Sequence, residues 1–275
     1  MENFNFESRW DPRVLATDLD GTLIPLPGSE ENRADLRLLA EAMAEGTREV
    51  VFATGRHLES VLEVMESDGL PRPEWMVCDV GSSIYRRDAT GAYRPFEPYD
   101  GHLAGLVGSI DRAAVERSLA AVGGLVPQDE ACQGRFKISY FAPADRVEAL
   151  VAEVSRVCGE AGLPFACMGS VDPFENKGLL DLLPARVSKA YALIWLSTHA
   201  DFRPEEVVYA GDSGNDLAAL VAGFRAIAVG NMDPSLADRI ERELGGQGRP
   251  DLLFRATKTA TSGVLEGCRH FGLVR

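Results

Sequence analysis

Basic residues are scarce in this chain: 28 lysines and arginines stand against 42 aspartates and glutamates, a formal charge of −14 at pH 7. That balance argues against nonspecific binding to nucleic acid or to an anionic membrane. It leaves an anionic small substrate open, because a bound divalent cation reverses the sign of the field within one site. Long apolar runs are missing as well, and no stretch approaches the roughly 20 residues of a membrane-spanning helix. The N-terminal "MENFNFESRWDPRV" has neither a basic segment followed by an apolar run nor a cleavage-site pattern. Five cysteines (Cys78, Cys132, Cys158, Cys167 and Cys268) form no CxxC pair, and their odd number cannot close entirely into internal disulfides. A reducing compartment fits that usage, with each thiol serving as a small buried hydrophobe. The expectation is a soluble cytoplasmic protein, and the lack of a long exposed apolar stripe favours a monomer.

What is present starts with hydrophobic residues at 45% of 275, enough for one large core or two unequal ones. The first third alternates in kind. "RVLATDL" and "REVVFATGR" read as strands, "ENRADLRLLAEAMAEG" and "HLESVLEVMESDGL" as helices, and "WMVCDVGSSIY" as a strand that turns at Gly81 and returns. The last third repeats that order from "SKAYALIWLSTHAD" to "TSGVLEGCRHFGL". Both flanks therefore predict one parallel sheet covered on both faces, a Rossmann-like α/β core. The middle instead offers "GHLAGLVGSIDRAAVERSLAAVG", as one long or two shorter helices, then "GRFKISYFA", "ADRVEALVAEVSRVCGEAG", "PFACM" and "GLLDLLP". This pattern predicts an inserted α+β cap over residues 86–186, with the core formed by 1–85 and 187–275. A crevice between two such lobes is the expected place for a pocket.

Parallel sheets gather the loops that follow the carboxyl ends of their strands. Four distant polar stretches come together by that rule: "DLDGT", "ATGR", the "SK" at 188–189, and "GDSGND". Asp18 and Asp20 repel each other unless a cation or proton lies between them. Alone, an Asp-Gly pair is ordinary turn material. With Asp212 and Asp216 added after another apolar strand, the acids form a set that suits magnesium, a hard cation that takes carboxylate oxygens and keeps some waters. Magnesium on carboxylates implies phosphate. Thr54 offers a hydroxyl, Gly55 an amide at a strand-to-helix junction, and Lys189 an ammonium poorly placed for the dipole of its own helix, which Asp216 could hold against a phosphoryl oxygen.

In this order "DLDGTL", "ATGR", Lys189 and "GDSGND" resemble the four motifs of the haloacid dehalogenase superfamily of phosphohydrolases, with a large C2-type cap between the second and third, as in subfamily IIB. Within it, "VCDVGSSIY", "RFKISYF", "LDLLPARVSK" and "SGVLEGCRHFGL" are similar to the sucrose-phosphate phosphatases and their bacterial relatives acting on other disaccharide phosphates. The resemblance runs over nearly the whole chain from Val14. It implies that Asp18 is the nucleophile that becomes an aspartyl-phosphate, and that Asp20 protonates the departing sugar oxygen and later deprotonates water. It further implies magnesium held by Asp18, the Asp20 carbonyl and Asp212. Thr54 and Lys189 would hold the phosphate, Asp216 would anchor the lysine and the metal's waters, and Asn215 and Ser213 would line the same loop. Lys137 matches a cap lysine expected to meet sugar hydroxyls, with Gln133 and Arg135 on the approach and Arg56 and His57 beyond "ATG" as further substrate contacts. A solvated strand lysine and helix-start surface residues would read the same way.

The implied function is magnesium-dependent hydrolysis of a sugar phosphate, of the sucrose-6-phosphate or mannosylfructose-phosphate type, supplied by a glycosyltransferase. Two departures from the family pattern, Ala190 after Lys189 and the length of "CMGSVDPFENKGLLDLLP", leave the sugar open. The alternatives are a broad hexose-phosphate phosphatase, a phosphomannomutase-like phosphotransferase and, in another class, a non-catalytic scaffold that binds magnesium and phosphate. Both Asp18 and Asp20 are present, which favours catalysis.

Overall fold

A computed structural model describes residues 11–172 and 177–275. The stretch before residue 11 and the centre of "CMGSVDPFENKGLLDLLP", residues 173–176, lie outside it. The chain first forms β1 (Val14–Thr17), α1 (Glu30–Met43), β2 (Glu49–Ala53), α2 (Leu58–Asp68), β3 (Trp75–Cys78), β4 (Ser83–Arg87), β5 (Tyr93–Pro95) and α3 (Glu97–Val107). Next come α4 (Arg112–Leu119), β6 (Val126–Pro127), β7 (Ile138–Pro143), α5 (Val147–Glu160), β8 (Phe165–Asp172) and β9 (Lys177–Pro184). The return is α6 (Lys189–Ser197), β10 (Val207–Gly211), α7 (Leu217–Leu220), β11 (Arg225–Ala228), α8 (Pro234–Gly246), β12 (Leu253–Arg255) and α9 (Ala260–His270).

The core strands lie in the order β12-β11-β10-β1-β2-β3-β4-β5. The first six are parallel, while β4 and β5 are antiparallel additions. Alternation along each strand divides the apolar residues between two faces. Val14, Ala16, Val51, Ala53 and Tyr209 pack under α3, α6, α7 and α8, whereas Leu15, Phe52, Val208 and Ala210 pack under α1, α2 and α9. The chain winds from β1 through β2 to β3 on one side and from β10 through β11 to β12 on the other, so the order reverses between β1 and β10. Such a reversal opens a crevice beyond the carboxyl ends of the two strands, which is where "DLDGT" and "GDSGND" begin.

The cap is a second sheet, β6-β7-β9-β8, antiparallel throughout, with α4 and α5 packed against Ile138, Tyr140, Leu180 and Leu182. The expected junction at 85/86 falls inside β4. Hydrogen bonding continues the large sheet to Pro95, and α3 then packs Tyr99, Leu103 and Val107 against the core. The long helix candidate resolves into two, because Gly108 takes φ 61° and Asp111 caps α4 by accepting from the Ala114 amide. In "SGNDLAALVAG" the α-helix is only the single turn α7 before Gly223, at φ 102°.

The turn between β3 and β4 is strained: Asp79 and Val80 adopt φ 53° and 57°, a region that costs a branched side chain about 1–3 kcal/mol. Gly81, at φ 101°, follows because a Cβ there would lie 2.3 Å from the Ser188 carbonyl oxygen. Gly81→Ala is therefore expected to cost about 2 kcal/mol or more and to displace the backbone that carries Lys189. Urea unfolding checks this; an unchanged midpoint at full activity would contradict it.

Candidate active site

Asp18 directly follows β1, and its amide donates to the Ala210 carbonyl at 2.9 Å, which ties the first acid to the edge of the sheet. Gly21 turns the chain at φ 71°, and a Cβ on it would sit 2.3 Å from Asp212 Oδ2. The glycine thus permits the first loop to close on the fourth. Thr22 then donates to Asp212 Oδ1 at 3.1 Å. Gly211 plays the same part beneath Asp216, since its Cβ would fall 2.6 Å from that side chain.

Lys189 is fully buried in the first turn of α6. Its Nζ stands 2.9 Å from Asp18 Oδ1 and 2.8 Å from Asp216 Oδ1. Burial opposes the ammonium, yet the two carboxylates outweigh it and hold the lysine above its ordinary value. The same burial, with the charge of Asp216 beside it, pushes Asp18 well up, and Lys189 offsets only part of that. Asp212 is pushed up to about 6 by burial and by Asp216. Its folded form therefore binds a proton more tightly than the unfolded chain does, and the associated stability is lost as pH rises through about 6. A cation that favours the carboxylate offsets that loss.

Asp18, Asp212 and Asp216 each offer a carboxylate oxygen within 4.8 Å of the others, an all-oxygen donor set that fits a hard divalent cation. Their roles in it differ. Asp216 Oδ1 accepts from Lys189 and from Tyr209 Oη at 2.6 Å, and Oδ2 accepts from the Asp212 amide, the Ser213 amide and the Ser213 hydroxyl. With those lone pairs engaged, Asp216 fixes the loop, while Asp18 and Asp212 retain oxygens for a metal. The Asp20 side chain lies apart from the cluster. It is more than half exposed and makes a bidentate pair with Arg56, at 2.7 Å from Nε and 2.6 Å from Nη2.

Thr54 is fully buried, and its hydroxyl oxygen accepts from the Arg56 amide at 3.2 Å, which leaves the hydroxyl hydrogen free to donate. Gly55 follows it in the loop after β2. Arg56 is committed to Asp20 and Ser60. His57 caps α2, with Nδ1 3.4 Å from the Ser60 amide and 3.1 Å from Glu59 Oε2. Asn215 is exposed, and its side-chain oxygen accepts from Ser213 Oγ at 3.1 Å.

Across the cleft Lys137 is buried, not solvated: its Nζ is 3.4 Å from Asp79 Oδ1, 3.5 Å from the Gly55 carbonyl and 4.0 Å from Asp181. Arg135 stacks on Phe136 and reaches Asp100 at 3.3 Å. Gln133 borders the space between the lobes. Its side-chain oxygen accepts from the Ser139 amide and its nitrogen donates to the Gln128 and Ser139 carbonyls, which ties the approach loop to β7. A cavity of ≈ 500 Å³ opens between the lobes, lined among others by His57, Glu59, Tyr85, Glu130 and Arg135.

Tyr209 and Asp79 are partners that sequence reading passed over. Tyr209 looks like ordinary strand core in "VVYAGD", although a buried phenol must find a polar partner. Asp79 follows the carboxyl end of β3, so the rule that singled out the other loops also covers it.

Residues 11–272 match the sucrose-6F-phosphate phosphohydrolase family. The chain belongs to that family. It is a phosphatase of the haloacid dehalogenase superfamily, with the superfamily's α/β core and inserted cap. This phosphohydrolase is 30% identical over 266 residues to a putative HAD-like hydrolase of Nitrosococcus oceani, across 94% of this chain and 71% of that one. It is 28% identical to the mannosylfructose-phosphate phosphatase of Agrobacterium fabrum, across 95% and 97%. The sucrose-phosphatase of Synechocystis, solved with sucrose and phosphate, superposes with a TM-score of 0.77 at 25% identity, across 95% of this chain and 98% of that one. Among the described residues of the phosphohydrolase, no helix is long and apolar enough to cross a membrane.

Proposed function

We propose that the chain hydrolyses a glycosylated sugar phosphate through an aspartyl-phosphate on Asp18. The observation that carries this reading is Lys189, buried between Asp18 and Asp216 with Asp212 beside them. An ammonium so held neutralises a phosphoryl oxygen next to a carboxylate aimed out of the sheet, which phosphoryl transfer requires. Asp18 attacks phosphorus, and the sugar oxygen departs with a proton from Asp20. Asp20 then takes a proton from water, which attacks the acyl phosphate and frees both phosphate and Asp18. The Asp20 carboxylate is held by Arg56 in a two-pronged pair. Thr54 donates to a second phosphoryl oxygen. Asp18, Asp212 and the Asp20 carbonyl would hold magnesium, which when bound neutralises charge on the transferring group.

For the sugar, we propose that the specificity lobe comprises residues 108–186 and that Lys137 and Arg135 face the second ring. Support comes, for Arg135, from the interlobe cavity that it lines, for Lys137 from its position across the cleft beside the Gly55 carbonyl, and for both from the disaccharide-phosphate phosphatases among the relatives. A cavity of ≈ 500 Å³ is within the range of small-molecule sites. Glycosyl transfer onto a sugar phosphate leaves a phosphorylated disaccharide, so a glycosyltransferase is the class of enzyme that would supply the substrate.

A screen of phosphorylated mono- and disaccharides, with magnesium and after exhaustive chelation, tests this. Release of phosphate from a disaccharide phosphate at least about tenfold faster in kcat/KM than from hexose phosphates is expected, and only with the metal. Equal rates across hexose phosphates would make it a broad phosphatase. Phosphate appearing on an added sugar would make it a phosphotransferase, and no turnover of any ester would leave a binding scaffold.

A further inference from the structure

Asp79 is a buried carboxylate for which the catalytic steps have no use. It sits in the strained turn after β3, yet its side chain reaches the cap: Oδ1 is 3.4 Å from Lys137 Nζ, and both side chains are almost wholly buried. Lys137 also approaches the carbonyl of Gly55, the residue after Thr54. The backbone of the same turn is tied to the catalytic loops. The Asp79 amide donates to the Arg56 carbonyl and the Val80 amide to the Thr54 carbonyl, each at 3.0 Å, while Gly81 is packed against Ser188. One short segment thus touches the loop of Thr54, the residue before Lys189, and the cap's buried lysine.

The other neighbours of Lys137 do not replace Asp79. Asp181 lies on the cap's own β9, at 4.0 Å, and it already accepts from Ser139 at 2.5 Å. Asp181 and Ser139 would accompany Lys137 in any position of the cap, whereas Asp79 and Gly55 belong to the core. Burial pushes the Asp79 carboxyl up, and Lys137, together with a hydrogen bond to the Ser83 side chain, pulls it back, so the lysine compensates this buried carboxylate across the cleft.

We infer that Asp79 is a positioning residue for substrate recognition: its carboxylate fixes Lys137 over the phosphate-holding loop, and its turn ties that contact to the backbone of Thr54 and Ser188. The catalytic part of the inference rests on the sugar-phosphatase reading. The placement of Lys137 by Asp79 does not.

Asp79→Asn is the informative change, because asparagine accepts the left-handed backbone better than most residues and keeps the shape while removing the charge. In kinetics on the preferred disaccharide phosphate, D79N is expected to raise KM roughly tenfold or more, the scale of a charge-assisted contact, with kcat changed less than about twofold. Hydrolysis of p-nitrophenyl phosphate, too small to span the cleft, is expected to stay within about twofold of wild type. In a K137M background D79N should add nothing further, since the effect passes through the lysine. Equal losses on both esters, or full additivity with K137M, would overturn the inference. Amide hydrogen exchange of the substrate-free protein provides a readout independent of the reaction. Faster exchange in D79N over residues 134–142 and 53–58 is expected, and unchanged exchange in both segments would overturn the inference even if no sugar phosphate proved to be a substrate.

Discussion

Asp18→Asn is expected to abolish phosphate release while leaving the protein as stable as before or more so. An amide of the same shape cannot attack phosphorus, and losing a covalent nucleophile costs about 10³-fold or more in kcat. The stability half follows from the surroundings of the carboxyl. Burial and Asp216 both disfavour its charge, and Lys189 compensates only in part. A neutral side chain escapes that penalty and can still accept from Lys189, which stands 2.9 Å away. Thermal unfolding of the metal-free proteins should place D18N at or above the wild type, the usual relation between a charged active site and the stability it sacrifices. A marked fall in melting temperature would mean that Asp18 is chiefly structural.

Lys189→Met should fail in the opposite way, losing both activity and stability. The ammonium is fully buried and touches two carboxylates at 2.8 and 2.9 Å. Breaking a buried pair from one side leaves uncompensated charge and typically costs about 3–5 kcal/mol. Here the remaining acids, Asp18 and Asp216, would repel each other with Asp212 close by. Activity should fall by at least about 10²-fold, since the charge that neutralises the phosphoryl oxygens is gone. Urea unfolding and steady-state kinetics read the two losses separately. A fully stable K189M would contradict the electrostatic arrangement described for the site, and a fully active one would remove the lysine from the reaction.

The central part of this design is legible in the sequence because it depends on local patterns. Each acid or hydroxyl that matters at Asp18, Thr54 and Asp212 closes an apolar strand, and parallel-sheet geometry carries such strand ends to one edge. Lys189 could be singled out because a lysine in the first turn of a helix runs against the dipole; its two carboxylates supply the reason. What could not be read depends on pairings between distant residues. Arg86 and Arg87 fall at the expected start of the cap, but Glu74 binds both and Arg86 lies over Trp75, so β4 stays in the core sheet. Tyr99, Leu103 and Val107 have helical spacing that fits either lobe, and only the packing of α3 on the core decides between them. Gln133 borders the cavity between the lobes, but its side chain is held there by the Gln128 carbonyl and by the Ser139 carbonyl and amide, pairings that composition does not reveal. Arg56 likewise has the charge expected of a substrate contact, and in the fold it is held by Asp20.

The most direct test of the account is to quench a rapid reaction of the wild type with acid during the first turnover and map any phosphoryl group on the protein by peptide mass spectrometry. The account predicts one phosphoryl group, carried on Asp18 in the peptide that begins at Val14, formed at least as fast as phosphate is released and absent from D18N. A phosphoryl group on any other residue, or release of phosphate in a single turnover without label ever passing through the protein, would contradict it.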